Sequence, residues 1–307
     1  MSRRRIALGL LLCLGAGAAG AETWTVRPDG SGDFPTLQAA VNAAADGDEI
    51  ILAEGVFAGD GNRDVDPLGK QLLIRSALLD PSLCMLNCEG TEAAPHRGFV
   101  FRSGEGLQTR IQSIGIANGY AEEGGAIYLD EDTGPLIRGC LLTGNAALRG
   151  GAVYSFWASP QIDETTIVSN RADRGGGIYI RGGAAGHHTR CIIWGNCAPQ
   201  GSDVFLHSSA IYIECTVLHL ANIDGEGFVF PEGPLFEVNP LLCNPLSCDE
   251  SPGLGGDYHL QLNSPCLPES SPCGALVGAL GAGCQPEPTA NRWVTWGQLK
   301  STFGDKK

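Results

Sequence analysis

Hydrophobic and polar residues follow a pattern that recurs with a nearly constant step through the middle of the chain. The motif Gly-Gly-x-(Ile/Val)-Tyr begins at Gly124, Gly150 and Gly175, and a looser copy begins at Gly201. A second marker, an asparagine that closes an apolar stretch, keeps nearly the same step. These asparagines are Asn118, Asn145, Asn170, Asn196 and Asn222. Because two independent markers share one period, the sequence indicates a repeat architecture.

Each repeat is rich in β-branched residues, has glycine or asparagine at its turns, and shows no helical spacing of apolar positions. This pattern is typical of one coil of a parallel β-helix, in which each coil stacks on the next. Leucine-rich repeats are the main alternative, but their leucine pattern is absent. We therefore predict an all-β fold, a parallel β-helix over residues 22–226 with its clear repeats at 98–226.

Alternation within each repeat sorts the side chains into two sets, because neighbouring residues of a strand point to opposite faces. The predicted inward set is Ile127, Leu129, Val153, Ser155, Ile178, Ile180, Val204 and Leu206. A second inward stack is Ile137, Cys140, Leu142, Ile162, Thr165, Ile167, His188, Cys191 and Ile193. The predicted outward set is Tyr128, Asp130, Tyr154, Phe156, Tyr179, Arg181, Phe205 and His207. One aromatic ring from each of four coils should line an outer strip, at a spacing of about 4.8 Å.

The segment before the repeats predicts a short helix over about residues 35–45. Leu37, Ala40, Val41 and Ala44 have helical spacing, and Pro35 lies near the first turn. A parallel β-helix has an open first coil whose apolar interior needs a cover, and a helix of this kind suits that position.

After Asn222 the period is lost. Residues 227–284 are rich in proline and cysteine, which predicts a disulfide-pinned C-terminal cap. Residues 285–307 are predicted to be a linker and a short terminal helix, which either docks on the body or acts as a sorting or partner-binding tag. One apolar face of that helix would contain Trp293, Trp296, Leu299 and Phe303.

The segment from Met1 to Ala21 has the pattern of a secretory signal peptide: three arginines, a short apolar run and small residues at its end. The apolar run is too short for a membrane anchor, so we expect no transmembrane segment after its removal. The sequence therefore predicts a secreted, extracellular or cell-surface protein, with the periplasm as an alternative.

Without Cys13, eleven cysteines remain, an odd number in a chain that enters an oxidising compartment. Cys140 and Cys191 should lie two coils apart in the core, too far to bridge, and are predicted to stay reduced. Sequence does not determine the pairing of the others. The natural candidates for local disulfides are the close pairs Cys84/Cys88, Cys243/Cys248 and Cys266/Cys273.

Composition and charge exclude several classes of protein and one class of partner. The apolar fraction of 43% and the mean hydropathy of +0.01 argue against both disorder and a polytopic membrane protein. The 34 acidic and 20 basic residues give a net charge of −14, and removal of three arginines with the signal peptide makes the mature chain still more acidic. Such a surface repels nucleic acid, so no nucleic-acid partner is expected.

Two stretches carry a family resemblance. Residues 24–41, Trp-Thr-Val-Arg-Pro-Asp-Gly-Ser-Gly-Asp-Phe-Pro-Thr-Leu-Gln-Ala-Ala-Val, resemble the opening of secreted proteins of the pectin-lyase-like superfamily. The Gly-Gly-x-(Ile/Val)-Tyr repeats with their asparagines resemble bacterial β-helix repeat proteins and polymorphic outer-membrane proteins. The resemblance covers roughly residues 23–284 and implies a right-handed parallel β-helix.

The same superfamily includes pectate lyases, polygalacturonases, pectin methylesterases and many members without an assigned activity. The catalytic motifs of these enzymes are not found in this sequence. We therefore expect a binding or structural role rather than catalysis, and a polysaccharide lyase or glycoside hydrolase if the protein is an enzyme.

Other titratable residues have simpler interpretations. Alignment of the coils places Asp163 beside Arg138 and Glu164 beside Arg190, which predicts surface ion pairs. Glu105 and Glu131 share a register, but both lie in predicted loops. In the pair His187-His188 the two rings should face opposite ways, so an ordinary turn or core histidine is preferred to a catalytic base or metal ligand.

One stretch is a weak candidate for a calcium site. Its oxygen-bearing side chains stand at alternate positions: Asp60, Asn62, Asp64 and Asp66. The EF-hand pattern then fails, because Val65 stands where glycine is needed and Gln71 where the bidentate acid belongs. A structural turn is therefore preferred, no cofactor is expected, and calcium remains the alternative.

The outward aromatic strip is the best functional candidate, because sugars bind flat aromatic faces that polar groups flank. Its predicted residues are Tyr128, Tyr154, Phe156, Trp157, Tyr179, Arg181, Phe205 and His207. The alternative is that stacked rings only stabilise the contact between coils. The sequence thus favours a secreted or surface protein with glycans or envelope components as candidate partners. A divergent lyase or hydrolase, or an adhesin that binds proteins, are the alternatives.

Overall fold

The structure is a computed structural model that describes residues 20–286. It shows a parallel β-solenoid of about ten turns with very few helical residues. The predicted all-β fold with stacked parallel strands is therefore confirmed. Most of the predicted signal peptide and all of the predicted terminal helix lie outside the described residues.

Sheet 1 is the largest sheet and consists of two halves. The first half contains Thr23–Val26, Glu49–Leu52, Leu73–Ser76, Arg110–Gln112, Leu136–Arg138, Gln161–Asp163 and Ala185–Thr189. The second half contains Phe99–Phe101, Ile127–Leu129, Val153–Phe156 and Ile178–Arg181. The long strand Val204–Glu214 pairs with the last strand of both halves, and Ile223–Pro231 pairs with it in turn.

The remaining strands form three smaller sheets among the described residues. Sheet 2 contains Gly55–Phe57, Cys84–Asn87, Gly115–Ala117, Leu141–Thr143, Thr166–Val168, Ile192–Trp194, Thr216–Val217 and Leu235–Phe236. Sheet 3 contains Tyr120–Glu123, Ala146–Arg149 and Arg171–Arg174. Sheet 4 contains Leu242–Asn244, Asp257–Gln261 and Ala282–Cys284. Two 3₁₀ turns span Leu220–Asn222 and Cys248–Glu250.

The core lies between sheets 1, 2 and 3 and includes the two inward stacks that the sequence predicts, together with buried side chains of the earlier coils such as Ile50 and Ile74. Every member of those stacks is at most 2% exposed, and the strand register aligns equivalent positions of successive coils. Burying one such isoleucine or leucine side chain stabilises the fold by about 1.5–3 kcal/mol. The alternation of the sequence therefore predicts correctly which side chains fill the solenoid.

The repeated glycine pairs form the tight corner between sheet 3 and the second half of sheet 1. Gly124, Gly150 and Gly175 have φ of +65°, +66° and +62°, in the left-handed region. A Cβ atom there would approach the carbonyl oxygen three residues later to 2.1–2.2 Å. Any side chain would clash with the backbone, which explains why the repeat keeps glycine at this corner.

A ladder of buried asparagines connects the coils at the corner before sheet 3. The Nδ2 atoms of Asn145 and Asn170 each donate to the Oδ1 atom of the asparagine in the next coil, at 3.0 and 2.9 Å. Asn196 ends the run by donating to Asp203. Asn118 lies one position away from the ladder, since the Gly119 backbone N–H bonds to Asn145 Oδ1. The longer step in sequence from Asn118 to Asn145 reflects this shift.

The predicted N-terminal helix is present, with the bounds Leu37–Ala43. Thr36 caps it by accepting a hydrogen bond from the Ala39 backbone N–H at 3.3 Å. Lys70 Nζ donates to the carbonyl oxygens of Val41 and Ala44, both at 2.7 Å, and so satisfies its last turn. The helix buries its apolar side against the first coil, as expected for a cover.

Ile223–Pro231 and Leu235–Phe236 still pair with strands of the solenoid, so the part of the cysteine-rich region that leaves it begins at residue 237. This fold-back segment, residues 237–284, lies along the outer face of sheet 2. Hydrogen bonds link Gly253 to Gly144 and Gly278 to Arg190 over several coils. The apolar side chains of the two parts form a second core outside the solenoid. Its buried members are Leu141, Val168, Ile192, Cys215, Val217, Phe236, Leu242, Tyr258, Leu260, Cys266, Leu267, Val277 and Leu280. The segment therefore covers the side of the solenoid.

Disulfides fasten this segment to the body. Among the described residues the bridges are Cys197–Cys248, Cys215–Cys273 and Cys243–Cys284. The first two join the solenoid to the fold-back segment, and the third closes the segment itself. Disulfides of this kind fit a secreted or extracellular protein. No helix of the described residues is long and apolar enough to span a membrane.

The prediction of local disulfides is wrong. Cys243 and Cys248 are both bridged, but to different partners, because the fold-back places Cys248 beside the solenoid residue Cys197. Cys266 is free in the second core, and Cys273 bridges to Cys215 instead. Cys84 and Cys88 are free and point into the solenoid core. The prediction that Cys140 and Cys191 are unbridged core residues is confirmed.

His188 gives the solenoid a testable dependence on pH. Its ring lies in the core between Ile162 and Ile213 of the adjacent coils, and burial lowers its pKa from 6.5 to about 4. The unfolded chain therefore binds a proton between pH 6.5 and 4 that the folded chain does not. The free energy of unfolding should be unaffected by this group above pH 6.5 and fall by roughly 3 kcal/mol as the pH drops to 4.

Urea unfolding of the protein and of His188→Leu between pH 4 and 7.5 measures this effect. The variant lacks the titrating ring, so its stability should fall less steeply below pH 6.5. Parallel curves for the two proteins would contradict the assignment of this pH dependence to His188.

Candidate functional site

The aromatic strip forms one continuous stack on the second half of sheet 1. The strand register places Tyr128, Tyr154, Tyr179 and Phe205 side by side on successive coils. Their ring centroids are 5.6, 5.5 and 5.2 Å apart, and neighbouring planes differ by at most 15°. Parallel in-register strands hold the rings at this distance, so the stack follows directly from the period of the sequence.

Most of this stack is covered. Tyr154, Tyr179 and Phe205 are 2%, 3% and 8% exposed, and Tyr128 is half-buried. Guanidinium groups lie over both ends, Arg97 at 5.2 Å from the Tyr128 ring centroid and Arg174 at 5.7 Å from that of Phe205. The central rings therefore stabilise the contact between coils and offer little surface to a ligand.

The phenol groups of Tyr128 and Tyr154 stay neutral at physiological pH. Burial raises the pKa of Tyr154, and its hydrogen bond with Glu123 raises it further. Burial likewise raises the pKa of Tyr128, and the nearby Asp130 carboxylate acts in the same direction. These hydroxyls can donate or accept hydrogen bonds, but they are not bases.

The next outward position along the same strands forms an accessible rim. Phe156 is partly exposed, and the Arg181 guanidinium of the following coil lies 5.1 Å from its ring centroid. His207, in register with Arg181, is exposed. The rim thus places an aromatic face, a cation and an imidazole on three successive coils.

Trp157 is the most exposed ring of the site, at 56%. It has φ of +49°, which is unusual for a bulky residue and marks a strained backbone. The indole lies against Gly182 and Gly183 of the next coil, where added Cβ atoms would come within 2.5 and 2.7 Å of the ring. Hydrogen bonds from the Trp157 N–H to Arg181 and from Asp132 to the Trp157 carbonyl fix the backbone. The indole is thus exposed, while its backbone is hydrogen-bonded to both adjacent coils and its ring packs on the next one.

The last coil extends the site with residues that the repeat period did not reveal. Asp224 pairs in register with Phe205, and Glu226 pairs with His207. With Gln200 they line a cavity of about 350 Å³ at the end of the aromatic stack. Because this coil is short, Asp224 follows Phe205 sooner than one full period of the repeat, so a search at that period misses it. The two carboxylates are exposed.

The four weak calcium candidates all form ion pairs or hydrogen bonds with other groups of the protein. Asp60 binds Arg63 and Asp66 binds Arg102, each at 2.8 Å. The remaining two candidates also have partners: Asn62 accepts from the Leu37 N–H, and Asp64 accepts from His96 and the Arg97 N–H. Among residues 20–286 no group of His, Cys, Asp and Glu could hold a metal ion. These contacts support the interpretation as a turn.

The other titratable residues form structural contacts. Glu164 bridges Arg138 and Arg190, so the predicted pairing of Glu164 with Arg190 is present. Arg138 pairs with Glu164 rather than with Asp163, because its side chain reaches the corner position of the next coil. His188 is buried and His187 is outside, stacked on Tyr212 at 4.5 Å.

Glu105 and Glu131 lie in different surroundings. Glu105 is buried and accepts from the backbone N–H groups of Gly69 and Ser103, whereas Glu131 is exposed. Glu105 is committed to the backbone, so the shared register does not produce a carboxylate pair that faces a groove.

Comparison of this chain with protein-family models, with curated proteins and with solved structures finds no match. The functional conclusion therefore rests on the fold and on the geometry of the aromatic stack and its rim.

Proposed function

We propose that the protein is a secreted or cell-surface member of the pectin-lyase-like superfamily that binds carbohydrate without turning it over. The binding surface is the rim of the aromatic stack, formed by Phe156, Arg181 and His207, together with the exposed Trp157 and the partly exposed Tyr128. Trp157 is the observation that carries this proposal, because an exposed indole is held in a strained backbone conformation by the adjacent coil.

The chemistry of the rim suits a sugar. The C–H groups of a sugar ring stack on flat aromatic faces, and its hydroxyls need donors and acceptors at the edges. The Arg181 guanidinium supplies donors, and His207 supplies a donor or an acceptor. Because Trp157 is held in place before any ligand arrives, little conformational entropy is lost on binding.

A divergent lyase or glycoside hydrolase is the second candidate. Asp224 and Glu226 favour it, because two exposed carboxylates stand on the same side of one strand, beside His207 and the aromatic stack. Glycoside hydrolysis needs such a pair of carboxylates at one groove. Binding is preferred, since Glu164 is occupied by two arginines and Glu105 by backbone N–H groups, so neither is available as a catalytic acid on the earlier coils.

The test is a glycan array with the mature protein, followed by titration of each hit. Replacement of Trp157 by alanine should weaken binding at least about tenfold, because the main stacking surface is lost. The matched control is Phe228→Ala. This residue carries a 69% exposed ring and aligns with Ala210 and Ala185 in the first half of sheet 1, away from the proposed surface. The substitution should leave the affinity unchanged.

Equal affinity of the Trp157→Ala variant and the native protein would contradict the proposed surface. Absence of binding to every glycan would contradict the proposed function. Cleavage products that disappear in the double variant Asp224→Asn/Glu226→Gln would establish the second candidate instead.

A further inference from the structure

The outer face of sheet 2 carries one column of mostly apolar residues along the solenoid. The register gives the column as Val56, Met85, Gly115, Leu141, Thr166, Ile192 and Val217. The fold-back segment covers it from Leu141 to Val217, where every member is at most 1% exposed. Beyond Leu141 the cover ends: Val56 is 54% exposed and Met85 is partly exposed. Two coils of the column thus lack a cover among the described residues.

A cavity of about 430 Å³ opens where the cover ends, between Val56, Met85, Leu141 and the loop at Leu254. The loop before strand Cys84–Asn87 lies beside it, since the Gly55 N–H bonds to the Leu83 carbonyl. We name this surface the uncovered corner. It consists of Val56, Met85 and Leu254, which line the cavity, and the adjacent Leu83. Apart from Met85, these side chains are 39–54% exposed, and a concentration of apolar surface of this kind marks an interaction site.

The strand Ala282–Cys284 runs parallel to Asp257–Gln261 and passes beside this corner, and the described chain then continues past it to Pro286. Gly283 packs against His259, so closely that a Cβ atom on Gly283 would lie 2.5 Å from the His259 Cβ atom. His259 lines the cavity. Pro286 is three residues further, and Trp293 is seven residues beyond Pro286, a reach of up to roughly 24 Å in extended chain. Residues 291–307 can therefore return to the corner with chain to spare.

The charges of the two parts are opposite. The chain has four lysines, and three of them, Lys300, Lys306 and Lys307, are among the last eight residues. Arg292 adds a fourth positive charge to residues 291–307, against the single acid Asp305. Acidic residues lie at or beside the corner: Glu54 two residues before Val56, Asp80 in the loop before strand Cys84–Asn87, and Asp257 in the cavity wall, where it contacts His259. Attraction between them favours this segment over a second acidic copy of the chain.

We infer that residues 291–307 of the same chain cover the uncovered corner and complete the cover of sheet 2. The apolar residues of this segment are Trp293, Val294, Trp296, Leu299 and Phe303. This inference is independent of the proposed carbohydrate-binding surface, which lies on sheet 1.

Oxidation of Met85 tests this inference in the full mature chain. The sequence has two methionines, Met1 and Met85, so mature protein offers peroxide a single thioether. Replacement of both Trp293 and Trp296 by serine should expose Met85 and accelerate its conversion to sulfoxide about fivefold or more, read by mass spectrometry. The control Thr295→Ser/Thr302→Ser keeps the apolar residues and should leave the rate unchanged. An equal rate in the tryptophan variant would overturn the inference.

A second measurement approaches the contact from the other side. Trypsin should cleave native protein slowly at Arg292 and Lys300, and Leu254→Asp in the corner should accelerate this cleavage several-fold. Leu262→Asp is the matched control, because Leu262 is similarly exposed, at 52%, in the same segment but does not line the cavity. Fast cleavage in the native protein, or Met85 protection that depends on protein concentration or on an added apolar ligand, would assign the corner to another occupant.

Discussion

Replacement of Asn170 by alanine is expected to lower the free energy of unfolding by about 4 kcal/mol. The amide is completely buried and serves two neighbouring coils. Its Nδ2 atom donates to the carbonyls of Leu142 and Val168 and to Asn196 Oδ1. Its Oδ1 atom accepts from the backbone and side-chain amides of Asn145. Alanine would leave several buried polar groups without partners, each at a cost of about 1–3 kcal/mol, partly relieved by relaxation.

Urea unfolding followed by circular dichroism measures this loss. The control is Asn263→Ala, which removes an asparagine from an exposed turn and should change the stability by no more than about 0.5 kcal/mol. A loss below about 1 kcal/mol for Asn170→Ala would show that the ladder adds little to the contact between coils.

Removal of the Cys215–Cys273 disulfide should lower the free energy of unfolding by about 4 kcal/mol, as much as the Asn170→Ala substitution. The bridge closes a loop of 58 residues, for which the chain-entropy estimate is about 4 kcal/mol. It joins a late coil of the solenoid to the fold-back segment, so its loss also weakens the second core outside sheet 2. The double variant Cys215→Ser/Cys273→Ser avoids a new free thiol, and its midpoint of urea unfolding should fall accordingly.

Peptide mapping provides the control for this prediction. Alkylation of unfolded, unreduced protein should label the free cysteines of the described residues, which are Cys84, Cys88, Cys140, Cys191 and Cys266. Label on Cys215 or Cys273 in the native sequence would contradict the bridge. Unchanged stability of the double serine variant would mean that the apolar contacts alone hold the segment to sheet 2.

The fold was largely predictable from the sequence, because a solenoid is built from local repetition. The glycine pairs at Gly124, Gly150 and Gly175 each produce the same corner, and alternation within each coil decides which side chains point inward. Each coil contacts its neighbours in the chain, so a period in sequence becomes a stack in space. Where the period ends, the sequence did not reveal the short coil that carries Asp224, and it predicted a disulfide-rich C-terminal segment correctly but its disulfide partners wrongly.

The candidate site was predictable only in part. The alternation of inward and outward residues along each strand predicts that Tyr154 and Tyr179 point away from the solenoid core. In the structure they do, and their rings stack on each other. Alternation does not reveal that they are buried, because their cover comes from the stacked rings and arginines of other coils. The exposure of Trp157 likewise depends on a contact with Gly182 and Gly183, which lie one full coil further along the chain.

The sequence by itself determined the period, the direction in which each strand residue points and the helix that covers the first coil. These properties depend on residues within one repeat or between adjacent repeats, where spacing in sequence corresponds to spacing in space. Only the tertiary structure decided the disulfide partners, the burial of the aromatic stack and the end of the cover on sheet 2. These features depend on the path by which residues 237–284 return along the solenoid and on which side chains cover residues of neighbouring coils. No local sequence pattern encodes either of them.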